Sequence, residues 1–118
     1  MKKYKVLKDY VSPYPEPLIF KKGEQVQPGK EYTDNPNWQD WIWCEGQNIK
    51  KAWVPKQFLV QENNQWKLSQ DYNAMELSVF AGEELVFHNE INGFVKAEKS
   101  TGESGWVPIE NLEFLENM

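Results

Sequence analysis

Residue types able to do covalent or acid–base chemistry are scarce in this chain. It holds one cysteine, Cys44, and one histidine, His88. A single thiol excludes an internal disulfide and any cysteine-cluster metal site. A single imidazole leaves little for base catalysis or metal ligation. There is no Ser-His-Asp set, no pair of carboxylates set for general acid–base work, and no Gly-x-Gly or Gly-Lys-Ser/Thr phosphate loop. An enzyme is not expected, nor is a metal or any other cofactor. Aromatic chemistry is abundant instead, with six Trp, five Tyr and six Phe among 118 residues. Strand alternation in Trp41-Ile42-Trp43-Cys44 puts Ile42 and Cys44 on one face and Trp41 and Trp43 on the other. In the similar stretch Phe94-Val95-Lys96-Ala97, Lys96 marks the outward face, so Val95 and Ala97 point to a core. By the same register Cys44 is a small buried hydrophobe, and Trp41 points out, where an exposed aromatic usually serves binding. His88 reads as a solvated side chain at a strand end.

Composition narrows the class further. Apolar residues make up 40% and charged residues 26%, which is globular. All 13 cations are Lys, and the net charge is −5. Residues 1–60 carry 10 Lys against 7 acids, and residues 61–118 carry 3 Lys against 11 acids. A net-acidic chain without Arg is a poor nucleic-acid binder, because cations on phosphate supply most of that affinity. No apolar run approaches the ~20 residues of a membrane helix, and the first residues lack a signal-peptide core. No nucleic acid, no membrane and a cytoplasmic location are the expectations.

The elements that must position the aromatics are strands. No stretch of a dozen residues repeats apolar positions at helical spacing. Short β-prone runs occur at Tyr4–Leu7, Leu18–Phe20, Glu24–Gln27, Trp41–Glu45, Lys51–Pro55 and Phe58–Val60, then at Trp66–Ser69, Glu76–Phe80, Glu84–His88, Phe94–Glu98 and Gly105–Pro108. Turn residues separate them, and Asn92-Gly93 predicts a tight hairpin.

The chain also repeats itself. Asp9-Tyr10 recurs as Asp71-Tyr72, Leu18 with Gly23-Glu24 as Leu77 with Gly82-Glu83, and Trp53-Val54-Pro55 as Trp106-Val107-Pro108. The offset falls from 62 to 59 to 53, so the two copies differ in loop length. This predicts one all-β unit over residues 1–60, a short linker over 61–65, and a second unit over 66–118.

These anchors resemble the Src homology 3 domain, in tandem and in a bacterial style. The carrying motifs are Asp9-Tyr10, Leu18, Gly23-Glu24, Trp41, Trp53-Val54-Pro55 and Phe58-Leu59, then Asp71-Tyr72, Glu76-Leu77, Gly82-Glu83, Gly105-Trp106-Val107-Pro108 and Leu112. The resemblance implies two small five-stranded barrels and a non-catalytic protein-binding module. In the first copy it implies a peptide groove of Tyr10, Tyr14, Trp41, Pro55 and Phe58, with Glu16 facing a basic ligand residue. Flat rings of that kind fit the ridges of a polyproline II helix. In the second copy it implies Tyr72, Glu76, Phe94 and Pro108. Lys8, Gln70 and Asn111 stand where groove tyrosines are usual, and the second groove reads as degraded. The expected partner is a protein or a peptide, proline-rich or simply extended. The alternative is a structural or assembly protein whose grooves are buried between copies or in an oligomer, with self-association through the oppositely charged halves. The segment Gly29–Gln39, with Tyr32 and Trp38, is an insertion of about six residues relative to the second copy.

Overall fold

The computed structural model describes residues 2–115, and they are all-β. Twelve strands run β1 (Lys3–Val6), β2 (Ile19–Phe20), β3 (Gln25–Glu31), β4 (Trp41–Glu45), β5 (Lys51–Pro55), β6 (Leu59–Glu62), β7 (Gln65–Leu68), β8 (Tyr72–Asn73), β9 (Glu84–Ile91), β10 (Phe94–Glu98), β11 (Ser104–Pro108) and β12 (Leu112–Leu115). Short 3₁₀ turns at Lys56–Phe58 and Ile109–Asn111 precede β6 and β12. Asn92 and Gly93 both take positive φ, 50° and 87°, and join β9 to β10 as the expected tight hairpin. Three features differ from the sequence reading, the first being the two-residue strand β8, which no β-prone run covered. The run Glu76–Phe80 is not a strand and makes only isolated bridges, Tyr10 to Val79 and Glu76 to Trp106. The final strand β12 was not expected, since Leu-Glu-Phe-Leu is too short to declare a period.

The chain divides into two compact units. The central unit is Pro17–Ala74, and the terminal unit combines the chain up to Glu16 with the chain from Met75 onward. The central sheet has the order β5-β4-β3-β7-β6, beside the two-stranded β2–β8 ribbon. The terminal sheet has the order β11-β10-β9-β1-β12, which is the same arrangement strand for strand.

These units correct the contiguous division at residues 60 and 66. Strand β1 lies between β9 and β12, while β7 lies between β3 and β6. Each sheet is thus completed by the strand that leads the other half of the sequence. The cause is local. Residues 61–65 are not a linker, because Glu62 and Gln65 close the β6–β7 hairpin around Asn63 and Asn64. Both asparagines take positive φ, 50° and 63°. Asn tolerates that region better than other side chains, and a two-residue turn of this hand matches strand twist. The turn therefore folds β7 back onto β6. The sheets are also open rather than closed barrels, since β5 does not pair with β6, nor β11 with β12.

Each unit has its own core. Tyr4, Val6, Leu77, Val79, Leu85, Val95, Ala97, Val107 and Leu112 fill the terminal one. Phe20, Val26, Cys44, Ala52, Val54 and Leu68 are buried in the central one. Each buried Val or Leu among them contributes roughly 1.5–3 kcal/mol relative to an exposed position. Cys44, Val95 and Ala97 face inward as the register predicted. Lys50, just before β5, bridges Glu24 at 2.6 Å and sits 4.8 Å over the Phe20 ring.

Candidate functional site

The residues expected to form one groove are distributed over both units. Tyr10, Tyr14 and Glu16 belong to the terminal unit, together with Glu76, Phe94 and Pro108. Trp41, Pro55 and Phe58 belong to the central unit, together with Tyr72. Tyr72 thus takes the place expected for Tyr10, and the reverse, because each Asp-Tyr pair travels with its leading strand.

In the central unit, Trp41 stands opposite Pro55 across the β4–β5 ladder. Phe58 follows in the 3₁₀ turn, and its ring meets the Tyr72 ring edge-on at 5.5 Å. The other side of Tyr72 stacks on Phe20 at 6.4 Å, and its hydroxyl donates to the Trp53 carbonyl at 2.7 Å. Trp41 is only 6% exposed, and Pro55, Phe58 and Tyr72 are buried as well. The expectation of an outward, open Trp41 is overturned. Alternation decided which face the indole takes, but not whether that face is covered.

The same face continues along the ladder with a partly exposed cluster. Trp43 lies directly opposite Trp53, with ring centroids 5.1 Å apart. The insertion folds so that Tyr32 meets Trp53 edge-on at 5.2 Å and Trp38 at 5.7 Å. Its return is held by Tyr32 N–H donating to the Trp41 carbonyl at 2.9 Å and by an Asn35–Trp38 turn. All four rings are half-buried. The insertion also carries the exposed acid Asp34, the exposed Asp40 follows the insertion directly, and Glu31 pairs with Lys56 at 2.6 Å. Sequence reasoning did not pick out this cluster as a site. Its signal was the register that sets Trp43 against Trp53 once β4 and β5 pair.

In the terminal unit, Glu76 is not a solvated loop carboxylate. Its Oε1 accepts from the Tyr10 hydroxyl at 2.6 Å and from the Ser12 hydroxyl at 3.2 Å. Burial pushes its carboxyl above the ordinary range, and the two hydroxyl donors offset part of that. Ser12 Oγ also accepts from Tyr14 N–H at 2.9 Å, and Ser78 Oγ accepts from Ser12 N–H at 2.9 Å. Phe94 and Pro108 are buried, whereas Tyr14 and Glu16 are exposed. Asn111, at a groove-tyrosine position, is buried and donates to the Lys8 and Asp9 carbonyls at 3.3 Å. Lys96 sits 5.5 Å over the buried Trp106 ring, and burial lowers its ammonium. The imidazole of His88 lies 2.9 Å from Glu98 on the surface. Among the described residues no three His, Cys, Asp or Glu side chains gather as metal ligands would, and no helix is long and apolar enough to cross a membrane.

Residues 3–62 match the family model of the variant SH3 domain. The chain belongs to the variant SH3 domain family. SH3 domains are in general protein-interaction modules. The match stops at Glu62 and does not itself assign the second half. No curated protein and no solved structure matches the chain.

Proposed function

We propose that this SH3 chain is a non-catalytic module that binds a proline-containing or extended peptide. Its docking surface is the Trp43–Trp53–Tyr32–Trp38 cluster of the central unit. The observation that carries this reading is the half-buried Trp43–Trp53 pair, extended by Tyr32 from the insertion. Stacked and edge-on rings offer flat apolar surface to a preformed polyproline II ridge, and Asp34 and Asp40 favour a ligand carrying Lys or Arg. The groove of Trp41, Pro55, Phe58 and Tyr72 then acts as the buried support of that surface. The terminal unit, the chain up to Glu16 with the chain from Met75 onward, is read as a second copy of the same unit. Its support is the identical strand order of the two sheets.

The test is a titration of a panel of proline-rich peptides, half of them carrying flanking Lys or Arg, followed by ¹H–¹⁵N indole shifts. The reading predicts that Trp43 and Trp53 signals move and that Trp53→Ala abolishes the response. A panel in which no indole responds would sink it. The buried state of Trp41, Phe58 and Tyr72 favours a second reading, an assembly protein whose groove aromatics are structural. A peptide-silent chain that self-associates more strongly at low salt would support that one.

A further inference from the structure

The two leading strands occupy equivalent slots. In the terminal unit, Val6 N–H donates to the Glu83 carbonyl at 2.8 Å, and the Val6 carbonyl accepts from Gly82 N–H at 2.8 Å. In the central unit, Leu68 N–H donates to the Glu24 carbonyl at 3.0 Å, and the Leu68 carbonyl accepts from Gly23 N–H at 2.7 Å. The next residue donates to the 3₁₀ turn in both cases, Leu7 to Asn111 and Ser69 to Phe58. Asp9 Oδ1 accepts from Ala81 N–H, and Asp71 Oδ1 from Lys22 N–H, each at 2.7 Å. The registers agree too, with Val6 opposite Leu112 and Leu68 opposite Leu59. Tyr4-Lys5-Val6 before Asp9-Tyr10 and Trp66-Lys67-Leu68 before Asp71-Tyr72 are one recognition pattern.

The tethers, however, are unequal. Strand β7 is tied to its slot by the two-residue Asn63-Asn64 turn. Strand β1 has no local turn to either neighbour, and the chain from it to β9 runs through the whole central unit. The segment leaving Tyr10 carries Pro13, Pro15 and Pro17, which favour a stiff, extended course. The folded central unit holds its own ends together, with Ala74 N–H donating to the Leu18 carbonyl at 2.9 Å, so occupancy of the β9–β12 slot in cis closes through the flanking segments rather than a two-residue turn, with an effective concentration on the order of millimolar.

We propose that the slot between β9 and β12 is a strand-binding site that a second copy of this chain can fill with its own β1. The exchange keeps every ladder contact, carries Ser12 and Tyr14 along with β1 onto Ser78 and Glu76, redirects only the connection at residues 15–17, and closes reciprocally as a two-fold dimer. It does not rest on the peptide-binding reading, which concerns only residues of the central unit.

The test uses full-length chains. Lys5 and Glu113 are exposed and directly opposite across the β1–β12 ladder. Lys5→Cys and Glu113→Cys chains are mixed, unfolded, and refolded in a thiol–disulfide buffer at micromolar and at millimolar concentration. Cys44 is replaced by Ala in every chain, because burial, which pushes its thiol up to about 11, protects it only once the chain has folded. The expected result is a disulfide joining the two substituted positions between chains, its fraction rising on the order of a hundredfold or more at the higher concentration. Val60→Cys mixed with Lys67→Cys probes the locally tethered hairpin and should give no interchain link. Equal linking in both mixtures overturns the proposal. So does the absence of any Lys5–Glu113 link between chains when the double variant links within one chain. If either chain refolds poorly, Lys3→Cys with Leu115→Cys reads the same ladder.

Discussion

The Tyr10 hydroxyl donates to Glu76 Oε1 at 2.6 Å across 66 residues of sequence. It gives a mostly buried carboxylate its shortest hydrogen bond and ties the strand-exchanged N-terminal segment to the unit it completes. Tyr10→Phe removes the donor and leaves the carboxylate with Ser12. Leaving a buried charged acceptor under-satisfied costs about 1–3 kcal/mol. Urea unfolding followed by fluorescence should show that loss, and an unchanged midpoint would make the bond energetically idle.

The same carboxylate makes stability depend on pH in a definite direction. Burial raises the Glu76 carboxyl in the folded state above its ordinary 4.5. The folded chain therefore holds this proton more tightly than the unfolded one. Its contribution is most favourable below 4.5 and declines as pH rises through the folded value. Glu76→Gln keeps an acceptor for Tyr10 and Ser12 without the charge. It should flatten the stability profile in the window just above pH 4.5 relative to the parent chain. Coincident slopes of the two profiles there would show that Glu76 does not titrate differently on folding.

Gly105 is required by close approach rather than by backbone conformation. A Cβ built on it would lie 2.9 Å from the Met75 carbonyl oxygen, 3.1 Å from Leu77 Cγ and 3.3 Å from Leu77 N. The first and last of these are backbone atoms held by Trp106, whose N–H donates to Met75 and whose carbonyl accepts from Leu77. They cannot yield without breaking that ladder. Gly105→Ala should destabilise the terminal unit by about 1–3 kcal/mol. Hydrogen exchange should place the loss at Met75–Leu77 and β11, and a loss confined to the central unit would contradict it.

Much of this fold was legible because the signals are local. The Asp-Tyr pairs, the Gly-Glu turns and the Trp-Val-Pro runs mark ten of the strands and the family. Asn92-Gly93 announces its own hairpin. What pattern could not decide is which slot each leading strand enters. Tyr4-Lys5-Val6 and Trp66-Lys67-Leu68 satisfy either slot equally, so periodicity is silent. The decision lies in Asn63-Asn64, which reads as polar linker until both residues are seen at positive φ. The candidate groove was misgrouped for that reason alone, as Tyr10 and Tyr72 follow their strands. Exposure of Trp41 was equally illegible. A strand shows two faces by alternation, but its covering comes from residues remote in sequence.

Strain is stored at the β4–β5 connection. Ile49 has φ of +56°, a region where a β-branched side chain is an outlier. It is 91% exposed, so no packing compensates. The left-handed region costs an L-residue roughly 1–2 kcal/mol, and Asn is one of the few side chains that visits it readily. Asn48 beside it already adopts that conformation, at the same φ of 56°. Ile49→Asn should therefore stabilise the central unit by about 1 kcal/mol and remove an exposed apolar side chain as well. Thermal unfolding should shift upward by a few degrees. An unchanged or lower midpoint would show that the left-handed conformation at Ile49 stores no strain that Asn relieves.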